Sequence, residues 1–538
     1  MRITNNMILN QSDSNINGVK LILDQRNMQM TTKKKINRPS DDPVIAVRSL
    51  RFSTELAKVD QYYKKNIPDA ESFIDITESA AITMRGIVKN VYELAGHGAN
   101  DSLTQWDRKT ILSQLKALQE QMYASGNADL AGRTVFTGFR TDKALTFVKD
   151  EAETSYNIEE KIDVSKKMEL SRYYSGVVKN PATEAEILDV NKITDYTETT
   201  YHRLRTGYDN INFLDANGQP VQNGGDLKKD GAVINDNKLT NNGHIAFTYK
   251  DQNGELKAYN LQGVKVYDTE GDWEKARAPK NVGENDIVVI KKTGDIILGK
   301  KLALDLDSKK ATLDLNYTRI GFKNGELRPE YYYNCVNTKN EGTPCNIKFE
   351  KYDKNGNDKA YEIKYTIAAN QDLRVNTEVD KVFDSGFMQD VKGMIRAVSS
   401  AINAYEKVEK LKGMKNQAQF AASDYQKALD KWLKAANREL DYTSSNLQKT
   451  FNTELLKSKK YEDKLELAVT DLGCRKQQLL VIKKQMSDHD EIIKDLQSKN
   501  EDVDLSSIVL KYRAANDAYQ ASLMAAGKLG NVTLLNYL

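Results

Sequence analysis

The chain has 538 residues, of which 29% are charged, and its 79 Lys and Arg nearly balance its 76 Asp and Glu, for a net charge of +3. This length leaves room for several domains, and the balanced charge includes no basic block of the kind that binds nucleic acid, so we expect no nucleic-acid partner. The sequence has no apolar run of about 20 residues, so it predicts no membrane span.

The first predicted element is an amphipathic helix close to the start of the chain. Ile16, Val19, Leu23, Arg26 and Met30 recur at alternating spacings of three and four residues, which places them on one face of a helix. The residues ahead of it, 1–6, lack the apolar segment of a cleavable signal peptide. We therefore expect any export of the protein to use another route.

The next predicted helix begins at Asp42 and Pro43. Asp42 suits the N-cap, and Pro43 suits the first helical position, where its missing N–H is not needed. Pro68 should kink or interrupt this helix. A coiled-coil seam then follows, because apolar or small residues alternate spacings of three and four; these are Ile67, Ala70, Ile74, Thr77, Ala81, Met84, Val88, Val91 and Ala95.

Proline and turn residues divide the rest of the chain. No proline lies between Pro68 and Pro181 or after Pro344, and such tracts favour long helices. Asn-Gly and Asp-Gly pairs concentrate between residues 217 and 356 and favour tight β-turns. The sequence therefore predicts helical ends around a β-rich insert, over about residues 146–371.

Within the insert, two hairpins are predicted. One joins 287–290 to 296–298, and the other joins Ile347 and Phe349 to 361–367 around Asn355-Gly356. Residues 183–210 are ambiguous and include candidates for short helices. Ahead of the insert, a short helix is expected through 111–122 and a strand or turn over 132–139.

The C-terminal part carries several apolar helix faces. Three of them begin at Phe387, Tyr425 and Leu465 and need antiparallel partners, for which the N-terminal helices are the candidates. The last face continues to the final printed residue and includes Leu505, Ile508, Tyr512, Tyr519, Leu523, Leu534, Leu535, Tyr537 and Leu538. Two interpretations stay open: an ordinary antiparallel pair of the terminal helices, or a subunit interface that orders on assembly, formed by this face together with the N-terminal stripe.

The sequence offers little chemistry. Its four histidines are isolated, and it contains no HExxH, Walker or GxSxG motif, so we predict no enzyme and no catalytic, cofactor or metal site. A pair of distant carboxylates in the insert is the remaining catalytic alternative. Cys335 and Cys345 either form a disulfide, worth about 2–3 kcal/mol, or remain two free thiols in a hairpin.

Several segments resemble the flagellin superfamily, and within it the hook-associated proteins. They are MRITNNM at 1–7, INRPSDDPV at 36–44, NADLAGRTVFTG at 127–138, RVNTEVDKVF at 374–383, DVDL at 502–505, YQASL at 519–523 and LLNYL at 534–538. Their order and spacing from both chain ends make the set more specific than any single motif. Two features depart from the family: the insert is long, and residues 413–460 lengthen the helical arm.

The resemblance implies a mainly α fold, a flagellin-like antiparallel coiled-coil bundle of long helices with a β-rich outer insert. Residues 1–36 and 503–538 would be paired terminal helices, 37–145 and 372–502 the helical coiled-coil domain, and 146–371 the insert, as one or two subdomains. It also implies a structural subunit of the bacterial flagellum, located outside the cell in the junction ring between hook and filament.

The implied partners are copies of the chain itself, another hook-associated junction protein, flagellin, and an export chaperone on the C-terminal helix. Three alternatives are a filament flagellin, a junction subunit whose outer domain binds glycans, and a cytoplasmic coiled-coil scaffold. The RPSDDP segment argues against a filament flagellin, and the apolar C-terminal face argues against a cytoplasmic scaffold.

Overall fold

The structure is a computed structural model that describes residues 5–100, 103–163, 168–193, 196, 198–214, 219–227, 234–235, 238–239, 245–250, 255–259, 261, 263–276, 282–353, 356–359 and 361–530. The α-helices are α1 (Asn5–Thr32), α2 (Pro43–Gln61), α3 (Ile67–Gly98), α4 (Gln105–Gly126), α5 (Glu184–Leu188), α6 (Glu270–Ala276), α7 (Lys300–Ser308), α8 (Val379–Val382), α9 (Ser385–Lys415), α10 (Ser423–Glu501) and α11 (Leu505–Gly530).

The strands are β1 (Asp129–Leu130), β2 (Arg133–Thr134), β3 (Glu151–Ile162), β4 (Glu169–Tyr174), β5 (Glu198–Arg205), β6 (Ile211–Asn212), β7 (Gly225–Asp226), β8 (Ile234–Asn235), β9 (Lys238–Leu239), β10 (Ile245–Lys250), β11 (Leu256–Ala258), β12 (Gly263–Tyr267), β13 (Asp286–Ile290), β14 (Asp295–Leu298), β15 (Thr312–Phe322), β16 (Asn334–Asn340), β17 (Thr343–Phe349), β18 (Lys364–Ala368) and β19 (Gln371–Arg374). The fold is thus mainly helical with several sheets, as predicted. Among the described residues, no helix is long and apolar enough to cross a membrane.

The chain divides into two compact units. The first comprises Met1–Glu71, Lys364–Leu373 and Arg475–Leu538, and the second comprises Ser72–Ile363 and Arg374–Cys474. The borders therefore fall inside α3 and α10.

The start of α2, in the first unit, follows the prediction. The Asp42 carboxylate accepts the backbone N–H groups of Val44 at 2.9 Å and Ile45 at 3.2 Å, and Pro43 is the first helical residue. These bonds satisfy N–H groups that have no partner inside the helix.

The interruption expected at Pro68 is a π-helical turn over Tyr62–Asn66, directly ahead of α3. A proline lacks the N–H of the helical bond, and its ring crowds the carbonyl one turn earlier. A wider turn relieves that crowding while the chain stays helical.

The second predicted hairpin is wrong. Ile347 and Phe349 lie in β17, which pairs with β16, whereas Ile367 lies in β18, which pairs with β19. Tight turns with positive φ at Glu341, Gly342 and Asn370 join each strand to its neighbour in sequence. An alternating apolar pattern marks a strand but does not choose its partner. The first hairpin is confirmed, since β13 and β14 pair antiparallel around Gly294, whose φ is +69°.

The nine residues of the predicted seam are all buried in α3. In the second unit, a Cβ added to Gly98 would lie 2.9 Å from the ring of Phe451 on α10, so glycine lets the two helices approach closely at this point. Helix α4 packs against α9 and begins with a capping box between Thr104 and Asp107. N-terminal helices of this unit therefore pack against C-terminal ones.

The second and third C-terminal faces belong to one helix, α10, of 79 residues. Leu429, Trp432, Leu465 and Leu479 on these faces are buried, but Leu496, which the sequence places on the same face, is exposed. The helix runs without a break through the polar segment 442–446.

The arm extension of residues 413–460 has a hydrophobic cluster of its own, formed where α9 and α10 turn back on each other. Its buried members are Val178, Ile187, Val408, Leu411, Phe420, Ala428, Leu429, Trp432, Ala435 and Ala436. The Trp432 indole N–H donates to the carbonyl of Ile187 at 3.0 Å. The extension is therefore packed against the segment around α5, which the sequence left ambiguous.

The insert contains two main sheets, both in the second unit. One has the strand order β11-β10-β15-β3-β16-β17, with β6 also on β15, and the other has the order β4-β5-β14-β13-β12-β7. Tyr156, Phe147 and Phe322 fill the first sheet's core, with Phe147 and Phe322 stacked at 4.4 Å between ring centroids. His244 and most predicted Asn-Gly turns between 217 and 254 lie outside the described residues.

Both cysteines of the insert are free thiols in this structure. The antiparallel register places Phe349, four residues from Cys345, opposite Cys335. The two cysteines are thus offset by about 13 Å along the strands, beyond the reach of a disulfide. The Cys345 thiol instead donates to the carbonyl of Asn337 at 3.2 Å.

A buried ion network joins the second sheet to α9 and α10. The Lys457 ammonium on α10 binds Asp390 at 2.9 Å, Glu454 at 3.3 Å and Glu169 on β4. Burial alone would raise the pKa of Glu169, but Arg205, Arg203 and Lys457 hold that pKa well below its usual range. In contrast, burial and the charge of Asp390 raise the pKa of Glu454 to about 8. Glu169 also pairs with Arg203 at 2.5 Å and Asp390 lies 3.6 Å from Arg205, so Glu454 is the carboxyl of this network whose neutral form is favoured.

Glu454→Gln should make the stability of the second unit less dependent on pH. The folded-state pKa of Glu454 lies above its unfolded value of 4.5, so its stabilising contribution is complete below pH 4.5 and is lost as pH rises through about 8. The slope is at most about 1.4 kcal/mol per pH unit. Urea unfolding of the wild type and the variant at several pH values between these two pKa values measures the slope. Parallel wild-type and variant curves would contradict the raised pKa.

Candidate functional site

The paired terminal helices of the first unit form the candidate site. Helix α1 packs along α11, and the predicted stripe residues of α1, Ile16, Val19, Leu23 and Met30, are half-buried. On α11, Ile508 is buried, Tyr512 and Tyr519 are half-buried, and Leu505 and Leu523 are exposed. Leu534, Leu535, Tyr537 and Leu538 lie outside the described residues, as do residues 1–4 of the first motif.

Each terminal helix also carries exposed apolar residues on its far side. On α1, Met7, Leu21 and Met28 follow heptad spacing and expose 58%, 70% and 48% of their surface. On α11, Leu510 and Met524 are two heptads apart and each is 67% exposed. At 100° per residue, these side chains lie about 140–180° around each helix from the buried and half-buried stripe. We call these five residues the outer seam.

A second feature of the first unit, which we call the Lys34 clasp, joins the segment that follows α1 to the segment that precedes α11. The Lys34 ammonium binds Asp502 at 2.6 Å and Glu501 at 3.1 Å. The Lys35 N–H donates to the Glu501 carbonyl at 2.7 Å, and the Val503 N–H donates to the Lys33 carbonyl at 3.0 Å. The clasp therefore ties the end of α1 to the start of α11.

The charges of the clasp shift one another's pKa values. The hydrogen bond that Lys34 donates to Asp502 raises the pKa of Lys34, and the same bond lowers the pKa of Asp502. Glu501 also accepts the hydroxyl of Ser49 on α2 at 2.5 Å. Backbone and side-chain hydrogen bonds thus hold the same few residues together. They fix the point at which α1 and α11 begin to run side by side.

The sequence interpretation missed both features. The heptad spacing of Met7, Leu21 and Met28 is readable in the sequence, but the polar Ser14 interrupts it, and Asp517 interrupts the corresponding row on α11. The clasp joins residues more than 450 positions apart, and no local pattern marks it. A search for a second apolar row on each helix would have found the outer seam.

The N-terminal quarter of the chain is similar in sequence to a known family. Residues 3–141 match the bacterial flagellin N-terminal helical region. The resemblance to the flagellin superfamily that the motifs indicated is therefore confirmed for this region.

Two individual relatives are similar to this chain, and both carry the same name. The chain is 27% identical to the flagellar hook-associated protein 3 of Salmonella typhimurium over 145 residues, which cover 27% of this chain and 45% of that protein. It is 23% identical to the protein of the same name from Escherichia coli, over 35% of this chain and 61% of that one. The predicted resemblance to a hook-associated protein is thus confirmed, although the match spans only about half the length of these relatives.

Among solved structures, the flagellar junction protein FlgL from Legionella pneumophila matches 85% of this chain and 100% of its own. The sequence identity is 10% and the TM-score is 0.27.

Proposed function

We propose that this chain is a structural subunit of the bacterial flagellum that forms the junction ring between hook and filament. It assembles outside the cell through its paired terminal helices, and its β-rich insert points away from the assembly axis. The observation that carries the proposal is the outer seam, an apolar row on the free side of both helices. The flagellin-type N-terminal region and the names of the two curated relatives support the setting.

The outer seam is the surface that neighbouring subunits would cover. Apart from the exposed Leu505 and Leu523, the described stripe residues are already buried or half-buried on α1 and α11, so they stabilise the pair more than its contacts with other chains. Burying an exposed Leu or Met side chain yields about 1.5–3 kcal/mol. Five such residues per subunit can therefore offset much of the cost of ordering an interface. We include the predicted stripe residues in the interface where they remain exposed, as Leu505 and Leu523 do.

The same proposal covers the coiled-coil packing of the α3 seam, the domain boundaries given above, and the partners. The partners are copies of the chain, another hook-associated junction protein, flagellin, and an export chaperone on the C-terminal helix. A filament flagellin is the competing assignment, and the hook-associated names of the relatives favour the junction.

The double variant Leu21→Glu, Leu510→Glu should leave the chain exported but not retained on flagella. Two carboxylates placed in the seam would have to be desolvated against neighbouring subunits, so we expect at least a tenfold loss of the chain from isolated flagella. Immunoblots of sheared flagella and of culture medium measure retention and export separately. Gold labelling of wild-type cells should mark the hook–filament boundary; labelling along the whole filament would favour a flagellin.

The matched control is Leu456→Glu, Leu467→Glu. Both leucines are more than 70% exposed, at 72% and 71%, and both lie on α10 in the second unit. This control should be retained like the wild type. Retention of the seam variant at the wild-type level would contradict the outer seam as the subunit interface. Loss of the seam and control variants to the same extent would contradict it as well.

A further inference from the structure

A cavity of about 230 Å³ lies in the second unit, between the second sheet and helices α9 and α10. Its wall on the sheet side includes Arg203, Arg205 and Thr293, and its wall on the helix side includes Arg396 and Lys449. Clefts between packed elements with a few converging polar groups are the usual places for small ligands. The proposed assembly function makes no use of this cavity.

The arginines of the cavity differ in their partners. Arg203 binds Glu169 at 2.5 Å and approaches Asp295 to 3.8 Å, and Arg205 lies 3.4 Å from Asp295. Arg396, on α9, is half-buried and makes no ion pair or hydrogen bond among the described residues. Burial and the nearby charge of Arg205 lower the pKa of Arg396, and the more weakly acting charges of Asp295 and Asp209 only partly oppose this shift. A half-buried cation facing another cation is costly unless an anion lies between them.

Several donors facing the cavity also lack acceptors. Arg205 Nε and Nη1, Arg203 Nε and the Thr293 hydroxyl are buried and make no hydrogen bond with the described residues, although Arg205 Nε lies 3.4 Å from Asp295 and Arg205 Nη1 lies 3.6 Å from Asp390. Arg205 can reach this position because Gly393 lies against it: a Cβ there would be 2.5 Å from Arg205 Nη1. Donors without acceptors, grouped on one cavity wall, indicate a ligand that supplies several acceptor oxygens.

The net charge of the lining agrees with an anion. Five cationic and four carboxylate side chains line the cavity: Arg172, Arg203, Arg205, Arg396 and Lys449 against Glu169, Glu270, Asp295 and Glu454. Glu270 accepts the hydroxyl of Tyr201 at 2.7 Å, and the raised pKa values of Glu270 and Glu454 favour their neutral forms.

We propose that this cavity binds one small oxyanion, a phosphate, a sulfate or a carboxylate, between Arg396 on the helix side and Arg205 and Thr293 on the sheet side. The planar guanidinium groups present paired donors that match such an ion. Two sources share this chemistry, a free inorganic ion and the carboxylate of an acidic saccharide. The second would give the glycan alternative a defined site on the insert.

Titration calorimetry on the full-length protein tests the site, with inorganic phosphate, sulfate and glucuronate as probes and chloride at matched ionic strength as the reference. We expect saturable binding of one probe ion per chain. Preference for phosphate or sulfate identifies a free ion, and preference for glucuronate identifies a saccharide carboxylate. Absence of saturable binding by all three probes would overturn the proposal.

Arg396→Met is the diagnostic variant. Without an oxyanion it should unfold at the same or a higher temperature than the wild type, because it removes an uncompensated cation. It should also bind the preferred probe at least tenfold more weakly, whereas the exposed Arg51→Met should bind it like the wild type. Unchanged binding by Arg396→Met would exclude the site while leaving the assembly proposal intact.

Discussion

Trp432→Ala should lower the free energy of unfolding of the second unit by about 3–5 kcal/mol. The side chain is 2% exposed and lies in the cluster that joins α9, α10 and the segment around α5. Its removal leaves a cavity that rigid helices cannot close. It also leaves the carbonyl of Ile187 without its 3.0 Å hydrogen bond, which adds to the cost.

Urea unfolding followed by circular dichroism measures this loss. The control is Trp106→Ala on α4, because Trp106 is 78% exposed and its removal should cost less than about 0.5 kcal/mol. A similar small effect of both substitutions would show that the α9–α10 extension is not packed as described.

Lys457→Met should cost about 3–5 kcal/mol near neutral pH, since removing one cation of a buried network leaves its carboxylates with too little compensating charge. Glu169, Asp390 and Glu454 would then face one another around an apolar side chain. The exposed Lys459→Met on the same helix, which loses only a surface pair with Asp463, should cost less than about 1 kcal/mol.

Acid should narrow the difference between Lys457→Met and the wild type. The lowered pKa of Glu169 contributes stability above its unfolded pKa, and that contribution is lost as pH falls through the folded-state pKa. The variant lacks the part of this contribution that Lys457 supplies, and it keeps the part that Arg205 and Arg203 supply. Urea unfolding of both proteins at about pH 7 and about pH 4 measures the difference in their free energies of unfolding. A difference that is larger at the lower pH would contradict the role assigned to Lys457.

The helical features were predictable because their signals are local. The Asp42 cap, the interruption near Pro68 and the buried seam of α3 depend on residues within one or two turns. Strand positions were partly predictable for the same reason. Strand partners were not: Ile347 and Ile367 ended in different hairpins, because an alternating pattern is equally satisfied by any neighbour of the right polarity.

The candidate site divides in the same way. The spacing of Ile16 to Met30 and of Leu505 to Leu523 predicted both terminal helices and the buried or half-buried positions of most stripe residues, but Leu505 and Leu523 are exposed. Only the folded chain shows which apolar residues the helix pair buries and which it leaves exposed. The same holds for the register that Lys34 imposes with Glu501 and Asp502, and for the cavity beside Arg396. Each of these depends on contacts between residues hundreds of positions apart, and no local periodicity encodes such contacts.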